Sequence, residues 1–254
     1  MPPAVNTPAA ITETIVTRRI SEALDYAASR ASLVVIRGPT GRGKTLTAMT
    51  WAAEKKALYV RAPSSCTRRV FAVALADAVG IRGSANKTTA EIEAKLAKAM
   101  TTYSAIVVDE AGHLLPKGAA GSSAIELVRD LHDSAGIGAA LIFTDVYIEE
   151  MRSGRLSRYY EQFIGRVKFE VSIPADVRRD EAEAIVKAHR PDAPAALVAL
   201  ALKIARARDG RLRVLCEDLR RAADWAATEK RPITSDDLSV AADWRLSGGL
   251  WPTE

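Results

Sequence analysis

A glycine-rich segment, Gly38-Pro-Thr-Gly-Arg-Gly-Lys-Thr45, directly follows the apolar run at residues 33–36. Its spacing matches G-x-x-x-x-G-K-[ST], in which backbone N–H groups surround a phosphate and the helix that follows adds its positive dipole end. Lys44 would reach the β- and γ-phosphates, and the Thr45 hydroxyl would bind Mg²⁺. A glycine-rich turn that matches by chance is the alternative. The predicted nucleotide-binding residues are Gly38, Pro39, Thr40, Gly41, Arg42, Gly43, Lys44, Thr45 and Leu46.

Two adjacent acids, Asp109 and Glu110, end another apolar run at residues 105–108. If that run is a strand beside the glycine-rich loop, Asp109 would hold Mg²⁺ through a water molecule, and Glu110 would polarise the attacking water. The alternative is an ordinary acidic strand end. Together with the loop, the pair favours hydrolysis over binding alone, with ATP and Mg²⁺ as the predicted cofactors.

The elements that must position these residues alternate between apolar runs and helical periodicity. Short continuous apolar runs are typical of strands buried on both faces of a parallel sheet. The pattern predicts an α/β fold, a P-loop NTPase with a doubly wound, parallel five-stranded sheet over residues 11–173. The predicted strands are 33–36, 57–60, 105–108, 140–143 and 167–171, and the predicted helices are 16–30, 45–55, 67–79, 88–100 and 123–134.

After Pro174 the strand-like runs stop, and only helical periodicity remains, at 176–189, 194–208 and 211–228. A last helix is predicted to begin at Thr234, with Asp237 three residues further on as its capping partner. Residues 174–254 are therefore expected to form a small all-α C-terminal lid domain. Residues 1–10 contain three prolines and are expected to form a flexible leader.

Composition limits the function classes further. The chain has 254 residues, 48% apolar and 26% charged, which excludes a disordered or collagen-like protein. The formal charge of +5 is a mild bias toward polyanionic partners. Two cysteines cannot form a disulfide framework, and no signal peptide or membrane span is visible. We therefore expect a cytoplasmic protein.

The loop, the strand that ends in Asp-Glu and the helical C-terminal region together resemble an AAA+ ATPase. In that family, a polar sensor at the end of a neighbouring strand touches the γ-phosphate or the attacking water. The resemblance implies this role for Thr144, which follows the run at 140–143. A strand-end hydroxyl that only satisfies the backbone is the alternative. Ile15 and Val16 are candidates for covering the adenine, or plain core residues.

The resemblance also implies two arginines. An arginine supplied to a neighbouring subunit's nucleotide corresponds to Arg166 before the last strand, with Arg158 as the alternative; such a chain must oligomerise to hydrolyse ATP. A second sensor arginine at the start of a lid helix corresponds to Arg213, with Arg211 competing for the role. A solvated surface charge is the alternative reading of each.

The segment Leu58-Tyr-Val-Arg-Ala-Pro-Ser-Ser and the compact lid look similar to the transposition protein B of Mu-like phages and its relatives in transposons. This resemblance implies an ATP-dependent filament or ring on duplex DNA that delivers target DNA to a transposase in a bacterial host cell. Binding would be to the DNA backbone, without sequence preference. The candidate DNA-binding residues are Arg68, Arg69 and Lys117.

Other functions fit the same motifs. A helicase loader or replication-initiator-like protein would also be an ATPase, but it would act on a different partner protein. A P-loop phosphotransferase would be a monomer with an acceptor pocket, which the Asp109-Glu110 pair and the lid argue against. A binding switch would use ATP only to control assembly and would tolerate the loss of Glu110.

Overall fold

In the computed structural model, the apolar runs form one five-stranded sheet in the order β2-β3-β4-β1-β5, with parallel pairing throughout. The structure describes residues 11–64, 66–115, 124–153, 165–207 and 211–247. The predicted α/β fold class is confirmed. The strands are β1 (Leu33–Arg37), β2 (Leu58–Arg61), β3 (Ala105–Asp109), β4 (Gly138–Phe143) and β5 (Phe169–Ser172).

The register brings the carboxyl ends of the strands to one edge of the sheet. Arg37, the last residue of β1, is level with Phe143 of β4, and Arg61 of β2 is level with Asp109 of β3. In a parallel sheet, ligands bind outside the carboxyl ends of the strands. The segments that leave β1, β3 and β4 therefore start beside one another at that edge.

The helices between the strands follow the predicted periodicity to within about two residues. Their bounds are α1 (Ile15–Arg30), α2 (Lys44–Glu54), α3 (Arg68–Ala78), α4 (Thr89–Met100), α5 (Ala124–Ala135) and α6 (Asp145–Ser153), with short 3₁₀ turns at Ser84–Asn86 and Ala111–Leu114. Helix α6 was not predicted. Among the described residues, no helix is both long enough and apolar enough to cross a bilayer.

Burial of apolar side chains on both faces stabilises the sheet. The side chains of Val34, Val35 and Ile36 in β1 are fully buried, as expected for a strand covered on both faces. Side-chain caps fix where two of the helices that flank the sheet begin. The Thr67 hydroxyl accepts the N–H of Val70 at the start of α3, and Thr88 forms a capping box with Glu91 at the start of α4.

The described residues divide into two compact units. The first holds Arg19–Pro39 and Lys44–Ile173, and the second holds Thr12–Arg18, Thr40–Gly43 and the described residues from Pro174 onward. The second unit has its own apolar core, which includes Leu197, Leu215 and Leu219. Its C-terminal helices are α7 (Arg179–His189), α8 (Ala195–Arg206), α9 (Leu212–Thr228) and α10 (Ser235–Leu246).

The start of α10 was predicted correctly. Thr234 is its N-cap, and Thr234 and Asp237 form the expected capping box. The helical C-terminal region fits a lid domain in its composition and secondary structure.

Candidate nucleotide-binding site

The glycine-rich loop joins β1 to α2, where the sequence placed it. At Gly38, φ is +152° and a Cβ atom would lie 2.7 Å from the Cβ of Ile173, so the chain passes too close to Ile173 for any larger residue. The loop then runs into the first turn of α2, where backbone N–H groups have no partner within the helix. This geometry suits an anion at the helix start.

Lys44 is the first residue of α2, and its side chain folds back over the loop. Its Nζ donates to the carbonyl oxygens of Gly38 at 2.7 Å and Pro39 at 2.8 Å, and the residue is only 7% exposed. A buried ammonium needs such partners. Phosphate oxygens offer a stronger, charged acceptor at the same place.

Thr45 and Asp109 meet although they are far apart in sequence. The Thr45 hydroxyl donates to Asp109 Oδ2 at 2.7 Å, and the N–H of Glu110 donates to Asp109 Oδ1 at 2.9 Å. A hydroxyl and a carboxylate are hard oxygen ligands of the kind that Mg²⁺ takes, and a Mg²⁺ ion on a nucleotide needs only one or two protein ligands. The residues present therefore fit the predicted Mg²⁺ site.

Glu110 has a left-handed backbone conformation, φ 52° and ψ 38°, which is unfavourable for a residue with a side chain. It turns the chain out of β3 immediately after Asp109 and into the 3₁₀ turn Ala111–Leu114. Its carboxylate remains partly exposed at the carboxyl edge of the sheet. An outlier at this place agrees with a functional role.

Strand β2 adds two residues that the sequence analysis missed. The hydroxyl of Tyr59 donates to Asp109 Oδ2 at 2.9 Å, and Nη2 of Arg61 lies 3.4 Å from Glu110 Oε1. Burial, followed by the charge of Asp109, raises the pKa of the Tyr59 phenol, so it stays protonated and acts as a donor. The signal available in the sequence was the alternation of Tyr59 and Arg61 with the buried Leu58 and Val60.

Thr144 follows β4 and is partly buried at the same edge of the sheet. Its carbonyl accepts the N–H of Tyr147 at 3.2 Å, which begins α6. The Tyr147 ring packs on Gly112, where a Cβ atom would come within 2.1 Å of the ring. The segment after Thr144 is thus fitted against the turn that follows Glu110.

Residues Thr40–Gly43 make contacts with the C-terminal helices inside the second unit. Arg42 Nη2 lies 3.0 and 2.9 Å from the two carboxylate oxygens of Glu181, on α7. Nη1 of Arg211 donates to the carbonyl of Thr40 at 2.8 Å and also to its hydroxyl. At Gly41, φ is +76° and a Cβ atom would lie 3.1 Å from Arg211 Cβ.

The two alternatives for the second sensor therefore differ in their surroundings. Arg211 contacts the glycine-rich loop, whereas Arg213 forms no hydrogen bond or ion pair with any part of the chain that the structure describes. The sequence favoured Arg213. Arg211 is the alternative that donates to Thr40.

The remaining predicted residues take no part in these contacts or lie outside the described ranges. Arg166 precedes β5 and pairs with Asp133 at 3.1 Å, both side chains being more than half exposed. Leu46 in α2 is 43% exposed. Ile15 and Val16 begin α1, and Val16 is buried. Arg158 and Lys117 lie outside the described residues.

The two described candidates for DNA contacts are engaged with the protein. Arg68 is held by Glu93 at 2.7 Å and Asp130 at 2.8 Å, and the hydrogen bond that it donates to Glu93 is the main cause of its raised pKa. Arg69 donates to the backbone carbonyls of Lys87 and Ala85 and remains exposed. Arg68 is thereby neutralised by two carboxylates, which leaves Arg69 the better of the two for a phosphate.

Comparison with known proteins places this site in a familiar fold. A family model described as an AAA domain matches residues 27–151, which include the loop, Asp109, Glu110 and Thr144. No curated protein matches the sequence at a significant level.

Two solved structures extend the likeness to most of the chain. The Orc1 protein of Aeropyrum pernix, in complex with DNA, is similar with a TM-score of 0.64 and 20% identity, over 94% of this chain and 67% of that one. The RuvB Holliday junction branch migration motor of Thermotoga maritima is similar with a TM-score of 0.54 and 16% identity, over 93% of this chain and 71% of that one. At these identities, the likeness shows the fold.

Proposed function

We propose that this chain is an AAA+ ATPase that binds ATP with Mg²⁺, hydrolyses it and works as an assembly of its own copies on duplex DNA. One observation carries the hydrolytic part of the proposal: the 2.7 Å contact between the Thr45 hydroxyl and Asp109, with Glu110 next in the chain. It unites a phosphate-loop residue, a metal-binding carboxylate and a candidate base.

The phosphate-binding residues act mainly by position and charge. The amides at the start of α2 and the Lys44 ammonium hold the β- and γ-phosphates, and Lys44 exchanges its two loop carbonyls for phosphate oxygens. Thr45 and Asp109 hold the metal ion. When bound, Mg²⁺ neutralises charge that develops on the phosphate oxygens.

Glu110 orients the attacking water and takes up its proton. Its carboxylate is 27% exposed, whereas the neighbouring Asp109 is buried at 3% exposure. Thr144 follows the neighbouring strand β4 and would hold the same water or a γ-phosphate oxygen. Both residues follow or end strands at the carboxyl edge of the sheet and are partly exposed.

Two arginines complete the proposed centre. Arg211, which donates to Thr40, would bind the phosphates in its own subunit. Arg166 would act on a neighbouring subunit, because its exposed pair with Asp133 is weak enough to exchange for a phosphate. The need for a second subunit supports oligomeric assembly.

Binding to duplex DNA rests on two supports. The chain carries a formal charge of +5, and the similar Orc1 structure is a complex with DNA. The binding would be electrostatic and would weaken steeply with salt. Arg69 and Lys117 remain candidate contacts.

The proposal also includes the partner protein on which the assembly acts. The segment at residues 58–65 and the compact helical region favour a transposase that receives target DNA. The likeness to Orc1 favours the alternative, a replication-initiator-like or helicase-loading role. Preference for single-stranded DNA, or binding to a helicase in place of a transposase, would select the alternative.

The test combines binding, turnover and assembly. We expect Lys44→Ala to abolish binding of labelled ATP, whereas Lys55→Ala, at an exposed lysine paired with Asp25, should bind like the parent. Duplex DNA should raise the ATPase rate of the parent. Electron microscopy with a non-hydrolysable ATP analogue should show rings or filaments on DNA. Unchanged binding by Lys44→Ala would disprove the nucleotide site.

A further inference from the structure

Strand β2 presents two polar side chains to the acidic end of β3. Its burial alternates, with Leu58 and Val60 buried and Tyr59 and Arg61 more exposed. A period of two places Tyr59 and Arg61 on one face. On that face Tyr59 reaches Asp109, and Arg61 reaches the neighbouring Glu110.

The carboxylate of Asp109 is held by three donors. Oδ2 accepts from the hydroxyls of Thr45 at 2.7 Å and Tyr59 at 2.9 Å, and Oδ1 accepts from the N–H of Glu110 at 2.9 Å. Thr45 is itself a proposed metal ligand, and the Glu110 amide is backbone. Tyr59 is therefore the donor whose only task at this carboxylate is to fix its orientation.

We propose that Tyr59 is a positioning residue for Mg²⁺: its hydroxyl sets the orientation in which the Asp109 carboxylate meets the metal ion of the bound nucleotide. The proposal rests on the nucleotide site proposed above. Groups that hydrogen-bond to metal ligands fix their geometry, and losing one typically weakens metal binding by about 10-fold or more. Tyr59 is placed for this role because a side chain on the edge strand can reach Oδ2 without crossing the phosphate loop.

A purely structural role makes a different prediction. If Tyr59 only anchors β2 to β3, its loss would lower stability and weaken nucleotide binding equally with and without Mg²⁺. If it orients Asp109, its loss would leave binding without Mg²⁺ intact. The two roles separate in the metal dependence.

The experiment uses Tyr59→Phe in the full chain, which removes the hydroxyl and keeps the ring. Binding of a fluorescent ATP analogue is measured in EDTA and across a Mg²⁺ titration. We expect unchanged affinity in EDTA and about a 10-fold rise in the half-saturating Mg²⁺ concentration. An unchanged Mg²⁺ requirement, or an equal loss of affinity in EDTA, would overturn the proposal.

Two further variants control the result. Tyr103→Phe removes a hydroxyl from a tyrosine that packs against the same core, and should leave the Mg²⁺ requirement unchanged. In an Asp109→Ala background, adding Tyr59→Phe should have almost no further effect, since Tyr59 acts through Asp109. An additive effect in that background would show that Tyr59 acts elsewhere and would overturn the proposal.

The outcome also separates this proposal from the proposed function. Parent protein that binds the analogue no better than Lys44→Ala would disprove the nucleotide site, and the role of Tyr59 with it. Parent protein with Mg²⁺-dependent binding that Tyr59→Phe does not alter would disprove the role of Tyr59 alone.

Discussion

The guanidinium of Arg42 and the carboxylate of Glu181 form an ion pair from which solvent is excluded, with both side chains at 0% exposure. Arg42 Nε also donates to the carbonyl of Pro174 at 3.0 Å, and Glu181 accepts the N–H of Arg178 at 3.0 Å. Position 42, where the phosphate-loop motif accepts any residue, thus makes a tertiary contact. Through it, Thr40–Gly43 belongs to the same compact unit as α7.

Removing one partner of this pair should be costly. Glu181→Ala leaves the Arg42 charge buried without its carboxylate, and we expect the free energy of unfolding to fall by about 3–5 kcal/mol. Chemical denaturation followed by circular dichroism measures the change. A loss below about 1 kcal/mol would contradict the solvent-excluded pair, because that is the range of an exposed one.

Two controls show whether the charge or the contact matters. Glu183→Ala removes a neighbouring glutamate that is partly exposed and pairs with Lys187 on the same helix, so it should cost about 0.5 kcal/mol or less. Replacing Arg42 and Glu181 together by methionine should recover most of the stability lost in Glu181→Ala, since apolar packing often matches a buried ion pair.

Glu110→Gln should separate ATP binding from hydrolysis. The amide keeps the size of the side chain but cannot accept a proton, so turnover should fall about 10²- to 10⁴-fold while nucleotide affinity stays near that of the parent. Steady-state ATPase assays and equilibrium binding measure the two effects. Assemblies formed with ATP should persist in this variant.

The control for Glu110 is Glu54→Gln, at an exposed position at the end of α2, which should turn over ATP like the parent. Glu110→Gln protein that keeps more than about a tenth of the parental turnover would exclude Glu110 as the base. It would favour a switch in which ATP only controls assembly.

Arg61→Ala should raise the basal ATPase rate. Arg61 Nη2 lies 3.4 Å from Glu110 Oε1 and donates to it, so it competes with the attacking water for that carboxylate oxygen. The Arg61 side chain is 68% exposed, so solvent screens the pair and the gain should not exceed about 5-fold. Arg82→Ala, at another exposed arginine, is the control. A lower rate in Arg61→Ala would show that Arg61 assists hydrolysis.

The local features of the fold and of the site could be predicted from the sequence. The loop at residues 38–45, the acids at the end of β3 and the cap at Thr234 depend on neighbours in the chain, so local sequence patterns predicted them. Helix α6 was missed because the sequence analysis ended a strand at residues 140–143 and assigned no element to residues 145–153, four of whose nine side chains are charged.

The contacts across the chain could not be predicted in the same way. Tyr59 meets Asp109 across 50 residues, and Arg42 meets Glu181 across 139. Such pairs depend on strand order and register, which a single sequence does not state. For the same reason, the sequence could not show that Arg68, a candidate DNA-binding residue, forms ion pairs with Glu93 and Asp130.

The second unit should lose stability in acid through Asp237. Its hydrogen bonds from Arg231, and then those of Thr234, hold the pKa of this carboxyl far below its ordinary value. A carboxyl with a lowered folded-state pKa stabilises the fold above its unfolded pKa, near 3.8, and this stabilisation is lost as the pH falls below that value.

Asp237→Asn tests this dependence. At pH 7 it should lower the free energy of unfolding by about 1–2 kcal/mol, because it weakens the cap of α10 and the pair with Arg231. The difference from the parent should shrink between about pH 4 and pH 2 in denaturation curves. A difference that stays constant over this range would show that Asp237 is not the titrating group. Asp236→Asn, one residue earlier in the same helix turn, is the control.

The choice between Arg211 and Arg213 can be settled with two matched variants. Both arginines are exposed and lie two residues apart at the start of α9, but of the two only Arg211 donates to Thr40 within the described residues. An arginine beside the loop adds a charge-assisted donor to a bound phosphate. Arg211→Ala should therefore raise the Kd for ATP about 10-fold or more, whereas Arg213→Ala should change it less than about 2-fold. If Arg213→Ala instead raised the Kd for ATP more than Arg211→Ala, Arg213 would be the second sensor. The contact between Arg211 and Thr40 would then contribute nothing to nucleotide binding.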